Sequence, residues 1–244
     1  MLKANVTTIG AIAALIIFGV LASENGTGPI NKRQEPVQPN WAAITAWPNL
    51  QPDVVEAQPN PNRRVTAIVL DDSGSMGSDI VAAKAAVVGA LNAMNDEDRI
   101  AVLGLNAGTI LPFSSVADSK SMLTDLLEPI ESDGSTPLTA SIQSAQNLLE
   151  EEAAATRSFG TFRVIITTDG QANDDNALDA AIETLAATTP IQVTTIGIGI
   201  RGDHVLRRAD LGSFVDVANV DALQTALQAA VAENTDFSAI TNFE

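Results

Sequence analysis

The sequence predicts an α/β fold, with a doubly wound, mainly parallel sheet flanked by helices on both faces. From Arg63 onward, apolar runs of strand length alternate with segments of helical periodicity, which is the pattern of parallel sheets. Two of these apolar runs end in an aspartate, Asp71 and Asp169, followed by a turn. With 244 residues and 45% apolar composition, the chain is also long enough to bury one sizeable core.

The strands are predicted from apolar or β-branched runs bounded by turn-forming residues. These runs are Arg63–Asp71, Arg99–Leu105, Phe162–Thr168, Ile191–Ile198 and Ser213–Val217. A shorter run, Thr109–Phe113, is expected to pair antiparallel at the edge of the sheet. The helices are predicted from apolar residues spaced three and four apart. They are Asp79–Met94, Val116–Leu127, Leu138–Ala155, Asp175–Ala187, Val205–Ala209 and Asp221–Glu233.

The amino-terminal segment predicts export. Ala4–Ser23 is a stretch of twenty uncharged residues between Lys3 and Glu24, about the length that crosses a bilayer as a helix. Residues 1–23 are therefore predicted to be a signal anchor (a transmembrane helix) or, alternatively, a cleaved signal peptide. The first leaves the domain membrane-anchored on the extracytoplasmic side, and the second secretes it.

A proline-rich linker is predicted to follow. Residues 24–62 hold seven of the eleven prolines and show little periodicity, which is typical of an extended spacer. The chain's two tryptophans, Trp41 and Trp47, lie in this spacer, and we expect them to dock against the folded domain. That domain is predicted over residues 63–234, with a short tail at 235–244.

Charge and composition exclude several classes of function. The net charge of −17 argues against nucleic acid as a partner and against a polybasic membrane-surface binder. The absence of cysteine rules out disulfides, thiolate zinc sites and a cysteine nucleophile. His204 is the single histidine, so histidine-based catalysis has little to draw on.

Hydroxyl and carboxylate side chains cluster after the first strand. Asp71, Ser73 and Ser75 are spaced two residues apart, so an extended loop can point their oxygens at one centre. One carboxylate and two hydroxyls, with no nearby cysteine or histidine, suit a hard cation such as Mg²⁺, Mn²⁺ or Ca²⁺. The alternative is an acidic strand-to-helix turn in which Ser75 caps the helix.

Two later stretches add oxygen ligands. Residues 133–139 place the hydroxyl of Thr136 just before a helix, and residues 166–170 repeat a buried strand that ends in an acid, Asp169. Neighbouring parallel strands would bring Asp71 and Asp169 to the same edge of the sheet. Two carboxylates held close repel each other unless a cation lies between them.

The motifs D-D-S-G-S-M, G-S-T-P-L and T-T-D-G-Q-A-N resemble those of the von Willebrand factor type A domain with its metal-ion-dependent adhesion site. Their order and strand contexts agree over roughly 70% of the chain. The resemblance implies a Rossmann-like fold and a metal site made by five residues: Asp71, Ser73, Ser75, Thr136 and Asp169. Asp72, an acid in the variable position of the first motif, is expected to add negative charge beside the metal.

The resemblance implies a metal-dependent protein-binding module rather than an enzyme. Mg²⁺ (or Mn²⁺ or Ca²⁺) would keep one coordination position open, and an acidic side chain of a protein partner would complete it. Two alternatives remain open. One is a metal-assisted hydrolase, against which the sequence offers no nucleophile–base pair. The other is a structural assembly factor whose metal merely stiffens the loops.

We assign no function to the remaining motifs. Gly197-x-Gly199-x-x-Gly202 matches a dinucleotide fingerprint but comes late in the chain, so we interpret these glycines as turn residues. The tripeptide Arg201-Gly202-Asp203 is attributed to chance. His204 is predicted to be a solvated surface residue, and Glu150-Glu151-Glu152 a solvated helix face.

Overall fold

Six strands form one sheet in the computed structural model, which describes residues 36–50 and 60–232. In chain order they are β1 (Arg64–Leu70), β2 (Arg99–Gly104), β3 (Gly108–Ser115), β4 (Thr161–Thr168), β5 (Gln192–Ile198) and β6 (Ser213–Val217). The spatial order is β3-β2-β1-β4-β5-β6; β3 runs antiparallel to β2, and the other four pairs are parallel. The predicted mainly parallel sheet with an antiparallel edge strand is confirmed.

Helices cover both faces of this sheet. They are α1 (Trp41–Ala46), α2 (Ile80–Ala90), α3 (Val116–Leu127), α4 (Leu138–Ala155), α5 (Asp175–Thr188) and α6 (Leu223–Ala232). One core lies between the sheet and α2, α3 and α6, and the other lies beneath α4 and α5. Strand β1 serves both cores because successive side chains point to opposite faces: Ile68 belongs to the first core and Val69 to the second.

The first predicted helix is broken into shorter pieces. Gly74–Asp79 is a 3₁₀ turn in which Gly77 has φ of 45°, and a second 3₁₀ turn follows α2. Among the described residues, Gly74–Ala93 is the one helical segment long and apolar enough to cross a membrane, and its residues line the first core. The predicted export segment at Ala4–Ser23 lies outside the described residues.

Residues 36–50, here called the N-terminal strap, differ from the extended spacer that composition predicts. They contain the short helix α1, whose first turn is capped by the side chain of Asn40. The backbone N–H of Asn40 donates to the carbonyl of Ala187 at the end of α5 (2.7 Å). The strap is thus fastened to the domain by hydrogen bonds as well as by apolar contact.

The two tryptophans of the strap have different surroundings. Trp47 is only 9% exposed and meets the ring of Phe162 edge-on, with 5.0 Å between centroids. Trp41 is 70% exposed. The docking prediction is therefore confirmed for Trp47 and wrong for Trp41.

Buried arginines hold the amino ends of the strands. Arg64 pairs with Asp98, with 2.7 Å from Nε to Oδ2, and also donates to the carbonyl of Val231 (2.7 Å). Arg163 donates to the carbonyl of Ala230 (3.0 Å). The last carbonyls of a helix have no partner within it, so the two guanidinium groups cap α6 and tie it to β1 and β4.

Glu152 corrects one sequence expectation. Instead of lying on a solvated helix face, it is buried and accepts two hydrogen bonds from the guanidinium of Arg99 (2.6 and 3.1 Å). The pair joins α4 to β2. It was missed because Arg99 lies 53 residues earlier in the chain.

Candidate metal centre

The candidate site lies at the carboxyl ends of β1 and β4, which are neighbours in the sheet. From β1 the chain continues to β2 on one side, and from β4 it continues to β5 on the other. In an open α/β sheet, such a reversal of strand order marks the usual position of a ligand. Asp71 and Asp169 each follow directly after one of these two strands.

Asp71 is buried, and its carboxylate is held by three hydrogen bonds. Its Oδ1 accepts hydrogen bonds from the backbone N–H of Ser73 (2.9 Å) and from the Ser73 hydroxyl (2.5 Å). Its Oδ2 accepts the backbone N–H of Asp169 (3.1 Å), which joins the two strand ends. The backbone N–H of Asp71 in turn donates to the hydroxyl of Thr167 on β4 (3.0 Å).

A continuous row of oxygen atoms runs from Asp71 to Asp169. The hydroxyls of Ser73 and Ser75 lie 3.0 Å apart, and the Ser75 hydroxyl donates to Oδ1 of Asp169 (2.7 Å). Asp71 and Ser73 are buried, Asp169 is half-buried, and Ser75 is exposed. The row therefore leads from the core to solvent. Ser75 is engaged by Asp169 rather than by a helix end, which removes its alternative role as an N-cap.

Thr136 lies on a loop, residues 131–136, that is hydrogen-bonded to the loop that follows β1. The backbone N–H of Asp133 donates to the carbonyl of Asp72 (2.9 Å), and the hydroxyl of Ser132 donates to the carbonyl of Ser73 (2.7 Å). Thr136 itself is half-buried, and its hydroxyl makes no hydrogen bond to any described residue. The structure thus brings all three predicted loops to one edge of the sheet.

The electrostatics of the site favour a bound cation. Burial raises the pKa of Asp169, the hydrogen bond from Ser75 opposes this, and the nearby Asp71 carboxylate raises the pKa further. Burial and the neighbouring Asp71 both disfavour a negative charge on Asp169 unless a positive charge lies close to it. A cation between the two acids would remove that penalty.

The donor set fits a hard divalent cation. It consists of two carboxylates and the hydroxyls of Ser73, Ser75 and Thr136, all oxygen ligands of the kind that Mg²⁺ and Mn²⁺ accept. Within the described part of the chain, no three acidic, histidine or cysteine side chains group as a metal cage. A cation here would therefore be held by few charges and would keep much of its own charge.

Asp72 has a structural role that the sequence did not predict. Its carboxylate is buried and accepts the backbone N–H groups of Asn106 (2.7 Å) and Ala107 (2.9 Å). It therefore fixes the turn between β2 and β3. No local pattern indicates this contact, because the turn lies more than thirty residues further along the chain.

His204 is buried rather than solvated, so the sequence expectation is wrong. Its Nδ1 accepts the backbone N–H of Leu206 (3.1 Å), which leaves Nε2 to donate to the carbonyl of Gly170 (3.1 Å). The neutral ring thus supports the turn that follows Asp169, and burial lowers the pKa of His204. The neighbouring glycines form turns: Gly199 and Gly202 have φ of 64° and 91°.

Comparison with known proteins agrees with this geometry. A family model for the von Willebrand factor type A domain matches residues 67–243. The chain belongs to this family. The match continues past residue 234, where the sequence predicted a tail. No curated protein sequence is significantly similar to the chain.

Solved structures with the von Willebrand factor type A fold resemble the chain. One from Catenulispora acidiphila is 21% identical (TM-score 0.60), with 70% of this chain and 42% of that chain covered. Manganese-loaded Plasmodium vivax TRAP protein is 19% identical (TM-score 0.51), with 69% and 74% covered. The pilus adhesin SpaC from Lactobacillus rhamnosus GG is 13% identical (TM-score 0.57), with 74% and 31% covered. The chain thus spans less than half of the first and third of these proteins.

The family commonly binds a divalent metal and often mediates adhesion between proteins. The sequence predicts the five candidate oxygen ligands but not the residues that hold their loops. Asn173 is the last residue of the motif T-T-D-G-Q-A-N, but the motif alone does not show what its side chain contacts. Asn106 carries no local signal at all, because its partners lie in other loops.

Proposed function

We propose that this von Willebrand factor type A domain is a metal-dependent protein-binding module displayed outside the cytoplasm. It binds an acidic side chain of a protein partner through Mg²⁺. The proposal depends chiefly on the row of oxygen atoms from Asp71 through Ser73 and Ser75 to Asp169, which leads from the core to the surface. A ligand set that begins in the core and ends in solvent can hold a cation firmly and still expose one side of it.

Each ligand has a distinct task in the proposed site. Asp71 is held by three hydrogen bonds, so its carboxylate is fixed before the cation arrives. Asp169 supplies the second negative charge at the opposite side. The hydroxyls of Ser75 and Thr136 are neutral, so they coordinate without cancelling the cation's charge, which remains available to a partner's carboxylate.

An enzymatic role is not proposed. A metal-assisted hydrolase needs a base or a proton donor beside the metal. The single histidine has both ring nitrogens engaged by backbone groups, those of Gly170 and Leu206. The described edge of the sheet thus offers ligands for a cation and no histidine for proton transfer.

Display outside the cytoplasm is supported by sequence and by likeness. The uncharged stretch Ala4–Ser23 has the length and composition of an export segment. The similar solved structures include a pilus adhesin and a manganese-loaded protein. We propose Mg²⁺ as the resident ion, with Mn²⁺ as a substitute of the same ligand preference.

The test is partner capture from the native envelope fraction with the full chain as bait. We expect capture in Mg²⁺ and its loss in EDTA and in Thr136→Ala. Thr124→Ala, which removes an exposed hydroxyl on α3, is the matched control and should capture normally. Capture that survives both EDTA and Thr136→Ala would place the contact elsewhere. A metal that raises the melting temperature without changing capture would favour the structural assembly factor instead.

A further inference from the structure

Asn173 fixes the backbone on both sides of Thr136. The backbone N–H of Thr136 donates to Oδ1 of Asn173 (3.0 Å), and the backbone N–H of Asn173 donates to the carbonyl of Thr136 (3.1 Å). The amide Nδ2 of Asn173 also donates to the hydroxyl of Ser135 (3.0 Å). Both backbone polar groups of Thr136 are therefore engaged by one residue, and the hydroxyl of Thr136 is left for another use.

Asn106 holds the same loop from the other side. Its Nδ2 donates to the carbonyl of Ser135 (2.9 Å), while its backbone N–H is held by the buried carboxylate of Asp72. The loop comes so close that a Cβ added at Gly134 would lie 2.6 Å from Oδ1 of Asn106. Gly134 also has φ of 77°, so both the lack of space and the backbone conformation disfavour a side chain there.

These contacts link all the loops of the site. Asp72 belongs to the first loop and binds Asn106, Asn106 binds the Thr136 loop, and Asn173 belongs to the loop that follows Asp169. An amide suits both linking positions because it donates and accepts at once and adds no charge beside two carboxylates. The Thr136 loop has no helical or strand hydrogen bonds of its own to fix residues 131–136.

We propose that Asn106 and Asn173 are positioning residues of the metal site, which hold the Thr136 hydroxyl where a cation can use it. The inference rests on the proposed function, because it assumes that a cation binds. It assigns neither asparagine to the cation itself. Groups that orient metal ligands in this way typically change metal affinity by about 10- to 100-fold when they are removed.

The experiment measures binding of Mg²⁺ alone, and of Mn²⁺ alone, to the full chain by calorimetry. Asn173→Ala should weaken binding by about 10- to 100-fold, and Asn106→Ala should act in the same direction. Asn147→Ala, which removes an exposed amide on α4, is the matched control and should bind as the wild type does. The melting temperature of each variant in EDTA reports any purely structural damage.

A double-mutant cycle separates positioning from general support. If Asn173 acts through Thr136, Asn173→Ala should add little to the loss already caused by Thr136→Ala. Additive losses would overturn the inference, as would a lower melting temperature in EDTA with unchanged metal affinity. If Asn173→Ala does not fold, Ser135→Ala takes its place: it breaks the single bond to Nδ2 and should weaken binding by a smaller factor.

The failures of the two proposals are distinguishable. A wild-type chain that binds neither Mg²⁺ nor Mn²⁺ would overturn the proposed function together with the positioning roles. A wild-type chain that binds metal, with Asn173→Ala and Asn106→Ala binding equally tightly, would overturn the positioning roles alone.

Discussion

Acidic side chains at the two ends of the sheet have opposite electrostatic surroundings. At the amino end, the carboxylate of Asp98 lies against the guanidinium of Arg64, and both side chains are at most 7% exposed. At the carboxyl end, the carboxylates of Asp71 and Asp169 meet only hydroxyls and backbone N–H groups. At the amino end the chain itself supplies the cation, whereas at the carboxyl end we propose that the cation comes from outside.

The difference shows how stability and function are divided along the strands. An acid paired with a buried arginine completes its interactions on folding, so its removal damages the fold. An acid facing another acid gains little from folding and is relieved only when a cation binds.

Arg64→Met should cause the largest loss of stability. It leaves Asp98 buried without its cation and uncaps the end of α6, so the free energy of unfolding should fall by about 3–5 kcal/mol. Denaturant titration should give the same loss in Mg²⁺ and in EDTA. Lys120→Met is the control, because it breaks an exposed pair with Asp96 that is worth at most about 1 kcal/mol. A loss that depended on Mg²⁺ would contradict the division.

Asp71→Asn should abolish stabilisation by metal. With free Mg²⁺ at about 100 times its dissociation constant, the wild type should gain about 2.7 kcal/mol by mass action, and the variant none. In EDTA the variant loses one of two facing charges but also a hydrogen bond, because an amide NH₂ cannot accept a backbone N–H as each carboxylate oxygen of Asp71 does. The shift caused by Mg²⁺ is therefore measured for each protein against its own stability in EDTA. Thermal melts of both proteins measure this, with the exposed Asp125→Asn as control. Equal shifts by Mg²⁺ in wild type and Asp71→Asn would show that the site is wrongly assigned.

Asp169 should give the apo protein a pH dependence that metal removes. Its pKa is raised above 3.8, so the folded state binds the proton more tightly than the unfolded state does. Its contribution to stability is therefore greatest below pH 3.8 and is lost as pH rises through the raised pKa. In EDTA, the free energy of unfolding of wild type minus that of Asp169→Asn should decrease over that window. An increase would mean that the pKa is lowered.

His204 should give the free energy of unfolding a smaller pH dependence of the opposite sign. Its pKa is lowered below 6.5, so the unfolded state binds the proton more tightly. The contribution of the neutral ring is present above pH 6.5 and is lost as pH falls through the lowered pKa. The difference in unfolding free energy between wild type and His204→Gln should shrink over that window, with or without Mg²⁺. A difference independent of pH would show that the pKa of His204 is the same in the folded and unfolded states, so that burial does not lower it.

Much of the fold could be predicted because its signals are local. The bounds predicted for α3 and α4 agree with the structure, since Ser115 caps the first of these helices and Pro137 precedes the second. The strand ends at Asp71 and Asp169 were also predicted, because an acid after an apolar run marks the end of a buried strand. The 3₁₀ turn before α2 was not, because its helical spacing hides the kink at Gly77.

The supporting contacts of the site could not be predicted, because they join distant parts of the chain. Asn106 reaches a carbonyl 29 residues later, and His204 reaches one 34 residues earlier. Neither residue has a periodicity or a turn signal that points to its partner. A motif identifies the ligands of a site, whereas the loops around it are fixed by contacts that appear only once the sheet has formed.

The docked strap also gives the protein its own optical reporter. The chain has two tryptophans and no tyrosine, so its near-ultraviolet emission comes from one indole packed on Phe162 and one in water. Replacing Trp41 by phenylalanine leaves Trp47 as the sole emitter. A blue-shifted spectrum then reports an attached strap, and a red shift reports its release while the domain stays folded. Attachment of this segment can thus be followed in solution without any added label.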